Sequence, residues 1–391
     1  MKKKYIFIGI IVIIILAIFS YEETITPILE DGTPDYSARE TRDFRSLFSD
    51  DESYDRDSKK SKKSERGDDD RDDDRDVHDK KLVLTFIEEL YNNKNYSVLD
   101  ELVDENIKQH DPLVGDGVVS IKNSLEETWF SAFPEYYVDI KRAVADDGLV
   151  FVQSHVTINT EDRRNDYAEN SFALGEIYLL EGKKDERRIV EHWSITQPVS
   201  PTSVNGNSMF DGERFEKESK RVEEKNKKIV LRYMLEALNG RDVDVLDEIL
   251  DENWIAHNPT EQNGRENLKD LFQNVFFAQF PNLYADVKRV GAEGNLVFVH
   301  THYTVNKQDV GNGFTGAANM DIFRLEDGII VEHWDIVMRP VPETTVSGRS
   351  MFDGGALYNY KNERYGKDKD KKDKDGDKKK DKRKKKSDER Y

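Results

Sequence analysis

Apolar positions along this chain change period partway through a stretch of about 130 residues, and the same change recurs in the same order further on. Val83, Phe86, Ile87 and Leu90 fall at i, i+3, i+4 and i+7, the spacing that draws one apolar stripe along a helix. Val230, Tyr233, Met234 and Ala237 repeat it. A second short helix is expected at Val98–Val103 and at Val245–Leu250, and a third at Ile121–Ala132 and Glu266–Gln279, stopped by Pro134 and Pro281. The period then drops to two. Strands are expected at Tyr137–Ala143, Leu149–Asn159, Phe172–Leu180 and Arg188–Gln197, and again at Tyr284–Val290, Leu296–Asn306, Ala317–Leu325 and Ile329–Met338. Asp147-Gly148 and Asp327-Gly328 read as tight hairpin turns. Three helices followed by a run of strands predict an α+β domain with helices packed on one face of a curved antiparallel sheet. Such a cone leaves a pocket suited to a small-molecule ligand.

The recurrence is a duplication. LDELVDENIKQHDP (Leu99–Pro112) aligns with LDEILDENWIAHNP (Leu246–Pro259) at an offset of 147. FPEYYVDIKR and LVFVQSHVTIN align at the same offset with FPNLYADVKR and LVFVHTHYTVN. IVEHW recurs at an offset of 141 (Ile189, Ile330), and SMFDG at 142 (Ser208, Ser350). Two copies are too few for a solenoid. The expected domains are residues 79–212 and 213–358.

The flanks are of another kind. Met1-Lys2-Lys3-Lys4 precedes the apolar run Tyr5–Tyr21, an export pattern. Residues 1–21 are therefore expected to be a membrane anchor, or a signal peptide that releases the protein if cleaved. Either places the domains outside the cytoplasm. Residues 22–78 carry runs such as DDDRDDDRD and too few apolar groups to offset chain entropy, so a disordered linker is expected. Residues 359–391 form a Lys/Asp-rich tail of the same kind. From Lys361 onward it holds 16 Lys/Arg against 9 Asp/Glu, which leaves the rest of the chain at −26 within a net charge of −19. An acidic body argues against a nucleic-acid partner. DKDGD in the tail fails as a calcium loop, because the first ligand position is Lys371 and the twelfth has no Glu. The chain has no cysteine, which excludes disulfides, thiol nucleophiles and zinc-thiolate sites. No G-x-S-x-G, phosphate loop or dinucleotide fingerprint occurs. His300-Thr301-His302 has a metal-like spacing, but the first copy reads Gln153-Ser154-His155 and no HExxH is present. No metal and no cofactor is expected.

The element order, His257-Asn258-Pro259, the strand LVFVHTHYTV and the stretch MDIFRLEDGIIVEHWDIV together resemble the nuclear transport factor two-like fold. More narrowly, they resemble its SnoaL-like group, related to polyketide cyclases that catalyse an intramolecular aldol condensation. The resemblance implies two tandem cone-shaped domains that pair with each other, or a homodimer. It implies Asp321 as an acid/base carboxylate, His302 as its partner and His257 at the pocket mouth, with Glu176, His155 and His110 as their counterparts in the first copy. Alternation adds His300, Phe323, His333 and Asp335 as ligand-contacting candidates, and Trp254 as pocket wall. In the first copy Asp335 is answered by Ser194, His300 by Gln153 and Asp321 by Glu176. Two functions follow. The first is a membrane-tethered, extracytoplasmic tandem that binds a small apolar molecule without catalysis. The second is an aldol-cyclase or isomerase type enzyme using Asp321 and His302.

Overall fold

The structure is a computed structural model that describes residues 69–183, 186–213 and 215–359. The expected anchor at 1–21, the expected linker up to residue 68 and the tail from residue 360 lie outside the described residues. Among the described residues, no helix is long and apolar enough to cross a membrane.

Each copy folds helices first. In the first, α1 (Asp69–Ile87) runs on into a wide turn to Asn92, then come α2 (Ser97–Leu102), β1 (Val103–Gln109) and α3 (Val118–Ser124), which continues to Ala132. Strands β2 (Tyr137–Asp146), β3 (Leu149–Thr157), β4 (Ser171–Glu181) and β5 (Arg188–Pro198) follow. The second copy repeats this as α4 (Lys220–Arg232), α5 (Val245–Ile249), β6 (Leu250–Ala256), α6 (Arg265–Asp270), β7 (Tyr284–Glu293), β8 (Leu296–Thr304), β9 (Ala317–Glu326) and β10 (Ile329–Met338). The sheets run β1-β5-β4-β3-β2 and β6-β10-β9-β8-β7. Four strands of each are antiparallel, as the alternation predicts. The fifth, β1 or β6, pairs in parallel with β5 or β10. Periodicity passes over this edge strand because its register shifts and its middle residues are acidic and exposed. At the β2–β3 turn Asp147 and Gly148 both take positive φ (51° and 83°), the geometry an Asp-Gly hairpin turn supplies.

Every sheet has two covered faces, so its central strands are buried along their whole length. One face holds the helices. Leu90, Leu99, Val150, Val152 and Tyr178 pack there in the first copy, and Met234, Trp254, Val297, Val299 and Phe323 in the second. The other faces meet each other. Phe151, Ile177, Trp193 and Ile195 pack against Phe298, Met320, Ile322, Trp334 and Ile336 in one shared core.

Two C-terminal segments cross this seam as straps. Residues 199–213, which follow the first sheet, run over the second copy, where Val204 N donates to Pro259 O (3.0 Å) and Asn207 Nδ2 to Ala256 O (2.8 Å). Residues 341–355 do the reverse, with Val346 N donating to Pro112 O (3.0 Å) and Ser347 Oγ to Gln109 O (2.8 Å). Ser, Met and Phe of each SMFDG motif form the buried part of one strap. The pairing is therefore intramolecular and reciprocal.

Candidate active site

Sheet register decides which predicted residues can meet. Residues paired across adjacent strands point to the same face. Asp321 pairs with Val299, and His302 with Ala318. Asp321 therefore faces the helices, and His302 faces the other domain. The expected Asp321–His302 pair is split by the sheet. Alternation along each strand is as expected, but it does not say how strands are registered, and the pairing of the two was what the resemblance implied.

Five of the expected site histidines lie at the seam. His257 Nδ1–H donates to Ser208 O of the first strap (2.7 Å), its Nε2 meets Glu332 Oε1 (2.7 Å), and its ring stacks on Trp334 at 4.7 Å. His110 mirrors it, bonding Ser350 O (2.8 Å) and stacking on Trp193 at 4.7 Å. His302 donates to Thr315 O (2.8 Å) and stacks on Phe352 at 4.1 Å. His155 stacks on Phe210 at 4.5 Å, and burial lowers its pKa to about 3. His300 receives Arg289 Nη1 (3.3 Å) beneath Phe352, where burial and then the Arg289 charge push its pKa well down. These rings hold straps and do not line a cone.

The helix-facing side of the second sheet gathers a different group. His333 Nε2–H donates to Asp321 Oδ1 at 3.1 Å. Asp335 pairs with Asp321 across β9 and β10, so two carboxylates sit side by side on one buried face. Asn258 Nδ2 holds Asp335 Oδ2 at 2.8 Å. A third carboxylate, Glu261, reaches in from the loop after β6, with Oε2 4.0 Å from His333 Nδ1. Phe323 stacks on the His333 ring at 4.7 Å and Trp254 at 5.8 Å, and Tyr233 meets Phe323 edge-on at 5.1 Å.

Charges in so dry a place disturb each other. Burial, with Asp335 and Asp321 nearby, pushes the Glu261 pKa up to about 8. Burial also raises that of Asp335, against the opposing pull of His333. For His333, burial opposes the charged ring, but the bond and charge of Asp321 outweigh it and raise the pKa. At neutral pH Glu261 is thus a protonated acid close to the hydrogen-bonded His333–Asp321 pair. Several of its atoms have no partner: Asp321 Oδ2, Asp335 Oδ1, Glu261 Oε2, Asn319 Oδ1, His333 Nδ1 and Trp254 Nε1. Buried polar atoms are nearly always satisfied, and unsatisfied ones cost about 1–3 kcal/mol each. Their convergence in one cone marks a place made for polar contents. Among the described residues, no group of three or more His, Asp or Glu has the geometry to hold a metal ion. Two surface depressions of about 320 and 330 Å³ lie elsewhere, beside Arg188 and beside Arg241.

The first cone uses matching positions to satisfy more of its network, leaving Glu176 Oε2 and Ser154 Oγ open. Glu176 accepts from Tyr178 Oη (2.6 Å) and faces His192 Nε2 (3.3 Å), whose Nδ1 meets Gln109 Oε1 (2.9 Å). Ser194 Oγ donates to Asp111. The position of Glu261 is taken by Val114, part of the apolar packing.

Comparison with known proteins fits this architecture. A SnoaL-like domain model matches residues 230–333, and a SnoaL-like polyketide cyclase model matches residues 81–201. The chain carries two SnoaL-like domains in tandem. Solved structures similar to it include a candidate SnoaL-like polyketide cyclase from Jannaschia sp. CCS1, with 24% identity over 31% of this chain and 90% of that one (TM-score 0.26). A candidate polyketide cyclase from Bacillus cereus shares 19% identity over 32% of this chain and 89% of its own (TM-score 0.27). An NTF2-like protein from Mesorhizobium loti shares 18% over 32% and 98% (TM-score 0.26). Each covers about one SnoaL-like domain of this chain. No curated protein matches the chain.

The repeated IVEHW of the two SnoaL-like domains does two jobs through alternation. Its Glu and Trp face the seam. Trp193 Nε1 donates to Asp353 O (2.9 Å) and Trp334 Nε1 to Asp211 O (2.7 Å), while Glu191 accepts from Gly355 N (2.9 Å) and Glu332 from Glu213 N (3.4 Å). Its His faces the cone. Asp321, Trp254, Phe323, His333 and Asp335 of the expected set meet in the second cone, and Glu176 sits in the first. Sequence reasoning missed Glu261, Asn258 and Asn319. The mismatch of Glu261 with Val114 at the repeat offset was the available signal for the first of these.

Proposed function

We propose that the second SnoaL-like domain is an acid/base catalyst acting on a small carbonyl compound, of the aldol-cyclase or isomerase kind, and that the first is its structural partner. The observation that carries this is the cluster of Asp321, His333 and Glu261 in the second cone, which leaves more buried polar atoms open than the Glu176–His192 network of the first. Asp321 Oδ1 is tied to His333, which leaves Oδ2 to take a proton from carbon beside a carbonyl. His333 holds that carboxylate in place through the 3.1 Å hydrogen bond. The protonated Glu261 and the Trp254 Nε1–H can donate to the enolate oxygen as charge develops there, the role a neutral buried carboxylic acid plays best. Phe323, Trp254 and Tyr233 exclude water and provide an apolar wall. This pairing of Asp321 with His333 replaces the expected pairing with His302. The basic and apolar start of the chain supports a membrane tether, with the activity on the outer side.

The test is capture and conversion. The full chain is incubated with extract of its source cells, and co-purifying small molecules are followed by native mass spectrometry beside Asp321→Asn. A compound that the wild type converts and the variant only holds supports the proposal. A compound held unchanged by both would make the cone a receptor site and sink the catalytic reading.

A further inference from the structure

The acid/base reading leaves one buried ionisable residue of the second cone unused. Asp335 is 7 % exposed, its Oδ2 is fixed by Asn258, and its Oδ1 has no partner. Asn319, on the same face of the same sheet, is 5 % exposed, and its Oδ1 is also open. Both are acceptors. With Asp321 Oδ2 they make three unfilled acceptor oxygens on one buried face, two of them on carboxylates. The positive charges that act on Asp335 are His333, already bonded to Asp321, and Arg339 at longer range. Two carboxylates directly opposite each other on adjacent strands repel, so the face as built is short of a cation. Aromatic rings are packed around it: Tyr233 and Tyr303 both lie in the field of Asp335 and Asp321, and Trp254 and Phe323 flank His333. Ring faces attract cations, more strongly where water is excluded. The first cone has aromatic rings of its own but, among the described residues, no carboxylates facing each other across adjacent strands. Ser194 and Val114 stand where Asp335 and Glu261 do, and the Tyr178 hydroxyl and His192 are both placed on Oε1 of Glu176.

We infer that the compound bound by the second cone carries a protonated amine, held by Asp335 and Asn319 against the aromatic wall while Asp321 faces its reacting carbon. This rests on the proposed function only in taking the second cone as the working site; the ligand class follows from the two facing carboxylates and the open oxygens of Asp335 and Asn319. A neutral apolar ligand would leave those oxygens unpaired, whereas an ammonium group brings up to three donors and the missing charge.

Benzylamine and benzyl alcohol have nearly the same shape and differ in that charge. Their binding to the full chain at pH 7 is measured by titration calorimetry, beside Asp335→Asn and Asp335→Ser, with urea unfolding of each variant as a check on folding. Benzylamine is expected to bind at least tenfold more tightly than the alcohol. Both substitutions should erase that preference, and Glu176→Gln in the first cone should keep it. Equal binding of the two probes, or a preference that survives both Asp335 variants, would overturn the inference. Loss of conversion in Asp321→Asn with no amine preference removes the ligand class and leaves the acid/base reading standing. Amine preference without conversion by the wild type does the opposite.

Discussion

The two cones of this protein share a frame and differ in how their polar atoms are spent. In the first, His192, Glu176, Tyr178 and Gln109 form a chain in which almost every group has a partner. In the second, the equivalent His333 and Asp321 are joined by Asp335 and Glu261, and several atoms are left open. The seam-facing sides of the same two sheets keep a common set of contacts to the straps. Each presents Glu, Trp and His to the opposite strap and an Arg to its own strap in matching geometry, with Arg142 stacked over Trp334 and Arg289 over Trp193, both at 3.8 Å. Selection of a pairing surface and selection of a site therefore act on opposite faces of one sheet. A duplicated domain can keep the first in both copies while the second survives in one.

The largest effect that could break this comparison is on chemistry. Asp321→Asn should lower turnover of the captured compound by about 10²–10⁴-fold, the usual contribution of a positioned acid/base group, and Glu176→Gln should leave it unchanged. Equal losses in the two variants would mean that both cones work.

Next comes the seam, where the copies should behave alike. Trp334→Ala and Trp193→Ala each delete a fully buried indole, its hydrogen bond to a strap carbonyl and the seat of an arginine, and should cost about 3–5 kcal/mol by urea unfolding. Because the sheets share a core, the wild type should unfold in a single calorimetric transition. Two transitions would show that the copies fold independently.

A smaller effect separates the cones by pH. The folded pKa of Glu261, about 8, lies above its unfolded value of about 4.3, so the folded state binds more protons between those limits. Its contribution to stability is intact below about pH 4 and is lost as pH rises towards 8. Glu261→Gln should flatten that part of the profile, read from unfolding midpoints across pH 4–9. Val114→Gln in the first cone should lower stability at every pH in that range and leave its slope unchanged.

The smallest is steric. A Cβ on Gly175 would come within 3.0 Å of Met320 Sδ, so Gly175→Ala should cost about 1 kcal/mol while leaving turnover untouched. The readout is a shift of the urea midpoint at constant slope.

Much of this could be read from the chain. Helix spacing, strand alternation and the Asp-Gly turns placed the antiparallel strands and the helices, because burial on one face writes itself into the period. The parallel edge strand was not legible, since Asp104, Glu105, Asp251 and Glu252 interrupt its alternation. Half of the candidate site was legible as residue types and half of it was misplaced. Histidines attract attention as chemistry, yet His257, His110 and His302 are held by strap and loop carbonyls whose approach depends on segments up to 240 residues away. That information lies in tertiary register and not in local pattern. Glu261 sits in a loop, where period carries no signal at all.

Met320 also stands at the repeat position of Gly175, so one copy offers a knob where the other offers a hole. Two first copies meeting face to face would leave a void there, and two second copies would collide. The pair is thus a heterodimer that happens to be written in one chain. Its tether supplies effective concentration, so each half finds the other before it finds a neighbour. Cut between the sheets, the halves should still select each other from a mixture. Neither can be deleted or doubled without leaving a partner behind.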